Sequence, residues 1–233
     1  MHDRPPLIAL IHAVPAAARI AQESFAREFP EARLWNLLDD RLLDDARAAG
    51  GLDDALRRRM LRLIGLAADG GADGVLLTCS SYGEVVDTAR TLWKIPVLKS
   101  DESMFRAALT GPHDRLAVAA STSPAVPAAM SQLDTLAARL RPDRPVGLNP
   151  VLSEAAAVAD TPQEAAEHLA SALRATESDG VQAVLLAQYS LAPAGPTLSE
   201  LLGLPVLDGA GAAARELRSE LLPRVPASAE AAR

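Results

Sequence analysis

Apolar positions along the chain follow two rhythms. Short, near-continuous apolar runs stand at residues 7–13 (LIALIHA), 32–38 (ARLWNLL), 74–80 (GVLLTCS) and 96–100 (PVLKS). Runs of this kind are what strands buried on both faces of a parallel sheet require. Between them, apolar residues recur at helical spacing. Over 53–68, Leu56, Met60, Leu63, Ile64 and Ala67 fall on one face. The plan then repeats. Runs at 115–121, 145–152, 181–188 and 204–209 predict four more strands, and 125–140 and 162–175 predict helices. The second of these opens on Thr161-Pro162-Gln163-Glu164, a capping box with proline at the first helical position.

The two series superimpose at one offset. Leu116-Ala117-Val118, Val184-Leu185-Leu186, Pro205-Val206-Leu207 and Pro124 each lie 109 positions after Leu7-Ile8-Ala9, Val75-Leu76-Leu77, Pro96-Val97-Leu98 and Pro15. Only the second strands need a shift, of about four residues by inspection of the rows. The expected fold class is therefore α/β. Two pseudo-symmetric βα-repeat domains, residues 1–110 and 111–220, each carry a parallel sheet, and residues 221–233 form a frayed tail. Ligands of open parallel sheets bind beyond the carboxyl ends of the strands, so the site is expected in a cleft between the halves.

Composition narrows the function classes. The chain has 233 residues, 49% of them hydrophobic, enough for a real core. Lys plus Arg total 23 against 30 Asp plus Glu, a net charge of −7, with 3% aromatics. That balance argues against a nucleic-acid partner. A single cysteine makes no internal disulfide. No basic segment followed by a long apolar core opens the chain, and no run approaches the roughly 20 apolar residues of a membrane helix. A cytoplasmic protein with no membrane partner is the expectation. No CxxC or HExxH spacing and no GxGxxG or P-loop is present, so neither a metal nor a cofactor is expected.

The lone thiol is the most informative residue. Cys79 closes the third strand and is followed by Ser80, Ser81, Tyr82 and Gly83. Its counterpart at the repeat offset is Gln188, followed by Tyr189 and Ser190. Ser121, Thr122 and Ser123 end the first strand of the second half, where Ser121 overlays His12. These clusters of small polar residues at strand ends offer donors to a carboxylate. The 80–81 backbone is expected to open a helix, which favours an anion. Apart from Lys99 no cation lies in these loops, so neutral donors would hold the carboxylate. Cys79 reads either as acid/base or nucleophile, or as a small buried hydrophobe. His12 is a second acid/base candidate or a hydrogen-bonded strand-end histidine. Tyr82 and Tyr189 either orient a substrate or line the pocket. Asp101 and Glu102 read as charges at a helix N-terminus.

The strings "GADGVLLTCSSYG", "IPVLKSDESM" and "RLAVAASTS", with "LIALIHAVP" and "NLLDD", resemble the aspartate/glutamate/hydantoin racemase superfamily over about residues 7–210. That group includes maleate isomerases and arylmalonate decarboxylases. The resemblance implies a cofactor-independent enzyme that passes a small carboxylate substrate through a carbanion or enediolate, and a homodimer as one expected assembly. Two-cysteine members move protons on both faces of the substrate. Here Gln188 stands at the second cysteine position, and an amide is not a base. A symmetric two-thiol racemase is excluded. Arylmalonate decarboxylases keep the other cysteine, so this chain has the opposite arrangement. The readings left open are a racemase or isomerase with one thiol, a decarboxylase that reprotonates from the Cys79 face, and an inactive small-carboxylate binding protein.

Overall fold

A computed structural model describes residues 4–176 and 180–222. The first half runs β1 (Leu7–His12), α1 (Pro15–Glu28), β2 (Arg33–Leu38), α2 (Leu42–Ala48), α3 (Asp54–Asp69), β3 (Gly74–Leu77), α4 (Gly83–Leu92), β4 (Val97–Leu98) and α5 (Glu102–Thr110). The second runs β5 (Arg115–Ala120), α6 (Ala125–Leu140), β6 (Gly147–Leu152), α7 (Pro162–Ala175), β7 (Ala183–Leu186), α8 (Gly195–Leu202), β8 (Val206–Asp208) and α9 (Gly209–Leu221). The fold is α/β with two four-stranded parallel sheets, ordered β2-β1-β3-β4 and β6-β5-β7-β8. Of the tail expected over 221–233, residues 223–233 lie outside the described set, and Leu221 ends α9. Among the described residues no helix is long and apolar enough to cross a membrane.

Local chemistry explains the elements. In α3 the buried Leu56, Met60, Ile64 and Ala67 form the apolar stripe, and the Asp53 side chain accepts from the Leu56 N–H at 2.8 Å. In α7 Thr161 accepts from the Glu164 N–H at 3.1 Å. Glu164 reaches back one residue beyond the cap and accepts from the Asp160 N–H at 2.9 Å. The central strands β3 and β7 are buried at every position, whereas the edge strands β2 and β6 are half exposed. Only the central strands have a neighbour on both sides.

Two features differ from the expected repeat. The ladders pair Ile11 with Leu77 but Ala119 with Leu186, so the first strands sit one residue out of step with the third. His12 therefore corresponds to Ala120, and Ala13 to Ser121, instead of His12 to Ser121. Apolar runs slide freely in sequence. The hydrogen bonds from Thr78 N to Ile11 O and from Ala187 N to Ala119 O fix the step. The packing also crosses the sequence halves. Helix α9 covers the first sheet, with Ala213, Ala214 and Leu217 on Ile8, Leu10 and Leu76. Helix α5 covers the second, with Met104, Phe105 and Leu109 on Leu116, Val118 and Leu185. At the seam, a Cβ on Gly209 would lie 2.2 Å from the Ser100 carbonyl oxygen, so only glycine lets α9 start there.

Candidate active site

In each sheet the chain leaves the central strand pair in opposite directions, toward β2 or β6 on one side and toward β4 or β8 on the other. Such a switch point leaves a crevice at the carboxyl ends of the strands. Here the two crevices face each other and form one cleft of about 590 Å³. Cys79, Ser80 and Ser81 line it from the first half, and Thr122, Gln188, Tyr189 and Ser190 from the second.

Cys79 is half-buried, in extended conformation just beyond β3, and packs against the first-half core. The residues after it, Ser80–Tyr82, form a single 3-10 turn before α4. A longer 3-10 segment, Tyr189–Ala194, follows Gln188. The Gln188 Oε1 accepts from the Ser121 hydroxyl at 3.0 Å, from the Thr122 N–H at 3.1 Å, and from the Ser121 N–H. Ser121 is buried behind Gln188 and outside the lining, and Ser123 is exposed and also outside it.

Two sequence candidates are corrected. His12 is fully buried and does not line the cleft. Its Nδ1 meets Thr78 Oγ1 at 2.9 Å and its Nε2 meets Asn36 Oδ1 at 3.0 Å, so both ring nitrogens are occupied. Burial holds its pKa below the usual histidine value, against the Asn36 hydrogen bond, which acts the other way. The cause of its placement is the register: position 12 still belongs to the ladder, and the turn into the cleft begins at Ala13. Tyr82 is fully buried in the first-half core and donates its hydroxyl to the Leu42 carbonyl at 2.8 Å. The 3-10 turn carries its ring away from the cleft, where it anchors the start of α2.

Tyr189 does line the cleft, but its ring packs on Ile20, Ala192 and Ala210, and its buried hydroxyl has no partner among the described residues. Burial, followed by the nearby Asp208 and Asp101 carboxyls, raises its pKa. Asp101 departs from the expected dipole role. It sits at the N-cap position of α5 but caps nothing. Its Oδ2 accepts from the Ser100 hydroxyl at 2.8 Å, its Oδ1 is sealed and unpartnered, and burial pushes its carboxyl pKa up. Glu102 instead pairs with Arg90 at 3.0 Å and Arg106 at 2.8 Å.

Sequence reasoning missed one charged residue. Lys99 is bound to Asp87 at 2.9 Å and is not in the lining. The cleft cation is Arg47, on α2, with its side chain 70% exposed and a 3.2 Å contact to Asp44. Arg59 fixes α2 through Asp39 at 2.6 Å and Asp45 at 2.7 Å. This accounts for the acidic pair at 39–40, whose first member ties down a helix.

Helix termini complete the electrostatics. Val14, Asp101 and Pro124 start α1, α5 and α6, line the cleft, and give their helices no side-chain cap. The side-chain-capped helices α3, α7 and α9 begin outside the lining, at Asp53, Thr161 and Asp208. Uncapped N-termini present the positive ends of helix dipoles, although Pro15 and Pro127 bring no N–H and the Ala17 and Ala125 N–H groups are taken by the Val14 and Thr122 carbonyls. The cleft thus holds one thiol, one arginine and many neutral donors, an arrangement that suits an anion.

Fold and site together define a two-sheet α/β protein with one donor-lined cleft between its strand ends. The sequence matches the Asp/Glu/Hydantoin racemase family over residues 11–217, and the chain belongs to that family of enzymes. Similar solved structures include allantoin racemase from Klebsiella pneumoniae, with TM-score 0.67 and 20% identity over 92% of this chain and 86% of that one. Glutamate racemase from Bacillus anthracis superimposes with TM-score 0.65 and 11% identity over 93% and 81%. An arylmalonate decarboxylase gives 0.59 and 19% over 95% and 96%. No curated protein gives a significant sequence match.

Proposed function

We propose that the chain is a cofactor-independent enzyme of racemase/isomerase type that acts on a small carboxylate through an enediolate, with Cys79 as its proton carrier. The observation that carries this reading is the placement of the only thiol in the chain just beyond a strand end, in a cleft where hydroxyls, amides and Arg47 face an apolar wall that includes Leu43, Phe105 and Ala129. The Cys79 thiolate would take the proton from the carbon beside the carboxylate. The electron pair moves into the carboxylate as an enediolate, held by the donors and Arg47; inversion then requires water in the cleft to deliver a proton to the opposite face of that carbon, while Cys79 gives its own proton up to solvent.

Gln188 favours a second reading. The opposite strand end carries no acid or base, and His12 is sealed, so proton delivery is one-sided. In a decarboxylase one carbon–carbon bond of a malonate-type acid breaks and carbon dioxide leaves. The electron pair stays in the remaining carboxylate, and the Cys79 thiol protonates the carbon from its own face. Water then restores the thiol.

Proton NMR in deuterated water tests both. Amino acids, maleate, hydantoins and substituted malonates are incubated with the protein and with Cys79→Ala. Deuterium at the α-carbon, or loss of carbon dioxide, that vanishes in the variant is expected. Exchange that persists in Cys79→Ala takes the thiol out of the chemistry, and no turnover of any compound with binding retained leaves a binding protein.

A further inference from the structure

The amide of Gln188 has two ends with different duties. Two of the three groups its oxygen accepts from, the N–H groups of Ser121 and Thr122, can only donate. The oxygen must therefore face them, which turns the Nε2 amino group outward. Gln188 lines the cleft, and its Nε2 has no acceptor among the described residues. Three donors around one oxygen form a nest of the kind that holds anions. The matching positions of the first half are Ala13 and Val14. Both line the cleft, and neither N–H has an acceptor among the described residues. The second-half donors are filled by the protein's own amide, and the Ala13 and Val14 N–H groups are left without a partner in the cleft that Cys79 also lines.

The charges that line the cleft point the same way. Arg47 and Asp101 are the charged residue types there, and the Asp101 carboxyl is turned away, with one oxygen on Ser100 and the other sealed. Among the described residues that line the cleft, no exposed carboxylate waits for an ammonium group. We propose that the cleft selects acids that lack an amino group, and that Gln188 sets this choice by offering its Nε2 as a donor to an acceptor oxygen of the substrate. This rests on the small-carboxylate reading and names its substrate class: dicarboxylic or oxo acids, whose oxygens can meet Gln188 on one side and the open N–H groups of Ala13 and Val14 on the other. An α-ammonium would meet a donor on Gln188.

Succinate and aspartate differ only by the amino group and serve as probes. The side-chain amide signal of Gln188 in the nitrogen-15 spectrum of the full chain is assigned by its loss in Gln188→Glu. Succinate is expected to move that signal saturably, and D- and L-aspartate to bind at least tenfold more weakly. In Gln188→Glu a carboxylate still accepts from the three nest donors, so the melting temperature should hold, but the outward donor is gone. Succinate should then weaken at least tenfold, and the preference over aspartate should shrink or invert. Aspartate binding as tightly as succinate, no movement of the Gln188 signal with either acid, or an unchanged preference in Gln188→Glu overturns the proposal. The thiol reading is judged separately, by whether α-carbon exchange depends on Cys79.

Discussion

Cys79 and Gln188 end corresponding strands, and their surroundings share a backbone but not a chemistry. Each follows a fully buried four-residue strand and opens a 3-10 segment. Beyond each lies the turn that ends the neighbouring first strand, Ala13–Val14 in one half and Ser121–Thr122 in the other. Around Gln188 that turn is closed, because the side-chain oxygen takes the Ser121 and Thr122 donors. Around Cys79 the Ala13 and Val14 donors are open, and Arg47 stands nearby in the same cleft. Parallel-strand register brings Ala13 and Val14 to the positions of Ser121 and Thr122, although α1 starts right after Val14 and α6 only after Pro124. The side chain then decides whether those N–H groups are left open or are taken by the protein itself. One duplicated frame thus carries a thiol at one strand end and a self-satisfied amide at the other.

The largest test removes the reactive end. Cys79→Ala should cut α-carbon exchange by about 10²- to 10⁴-fold, the usual span for loss of a positioned acid/base. Gln188→Ala should leave measurable, slower exchange. Equal losses in both variants would break the asymmetry. Stability should rank the other way. Gln188→Ala strips one acceptor from three donors and should cost about 1–3 kcal/mol in urea unfolding. Cys79→Ala loses only a half-buried thiol and should cost less. A Gln188→Ala protein as stable as the wild type would mean that the nest does not need filling.

How far this contrast was legible in the sequence depends on the residue. The strand set, the class of fold and the cleft between sheets follow from apolar runs and their repeat. The pairing of Cys79 with Gln188 follows too, because the third strands keep one offset. His12 did not, since an apolar run such as LIALIHA carries no mark of register, and a slip of one residue moves a side chain from cleft to core. Tyr82 was misplaced for a related reason. Three residues after Cys79, a 3-10 turn has already brought the chain back to the core. Arg47 was invisible because α2 has only seven residues, too few for an apolar period to show. The exchange of α5 and α9 between the sheets left no trace either, as both helices show an ordinary apolar face.

A smaller effect tests the open end from above. Arg47 is mostly solvent-exposed, so screening reduces what it contributes to an anion. Arg47→Ala should raise KM about three- to tenfold and leave kcat nearly unchanged, the pattern of a group that binds substrate and transition state alike. A fall in kcat at constant KM would instead place Arg47 on the developing enediolate, and would make the first half carry both the proton and its charge partner.

The smallest effect separates the two halves by pH. His12 and Ala120 hold the same ladder position, and only the first half has a group there that titrates. The folded pKa of His12 lies below the histidine value because burial disfavours the imidazolium. The unfolded chain therefore binds the proton more readily, and the stability due to neutral His12 is complete above about pH 6.5 and is lost as pH falls toward the folded pKa. Unfolding free energies from urea titrations should decline over that window by no more than about 1.4 kcal/mol per pH unit, and His12→Gln should flatten the decline whatever it does to the plateau. If His12 only supports the strand end, the exchange rate per folded molecule will not track the same titration. A rate that follows the His12 midpoint, and loses that dependence in His12→Gln, would give the first half a second proton carrier behind Thr78 and undo the one-thiol contrast.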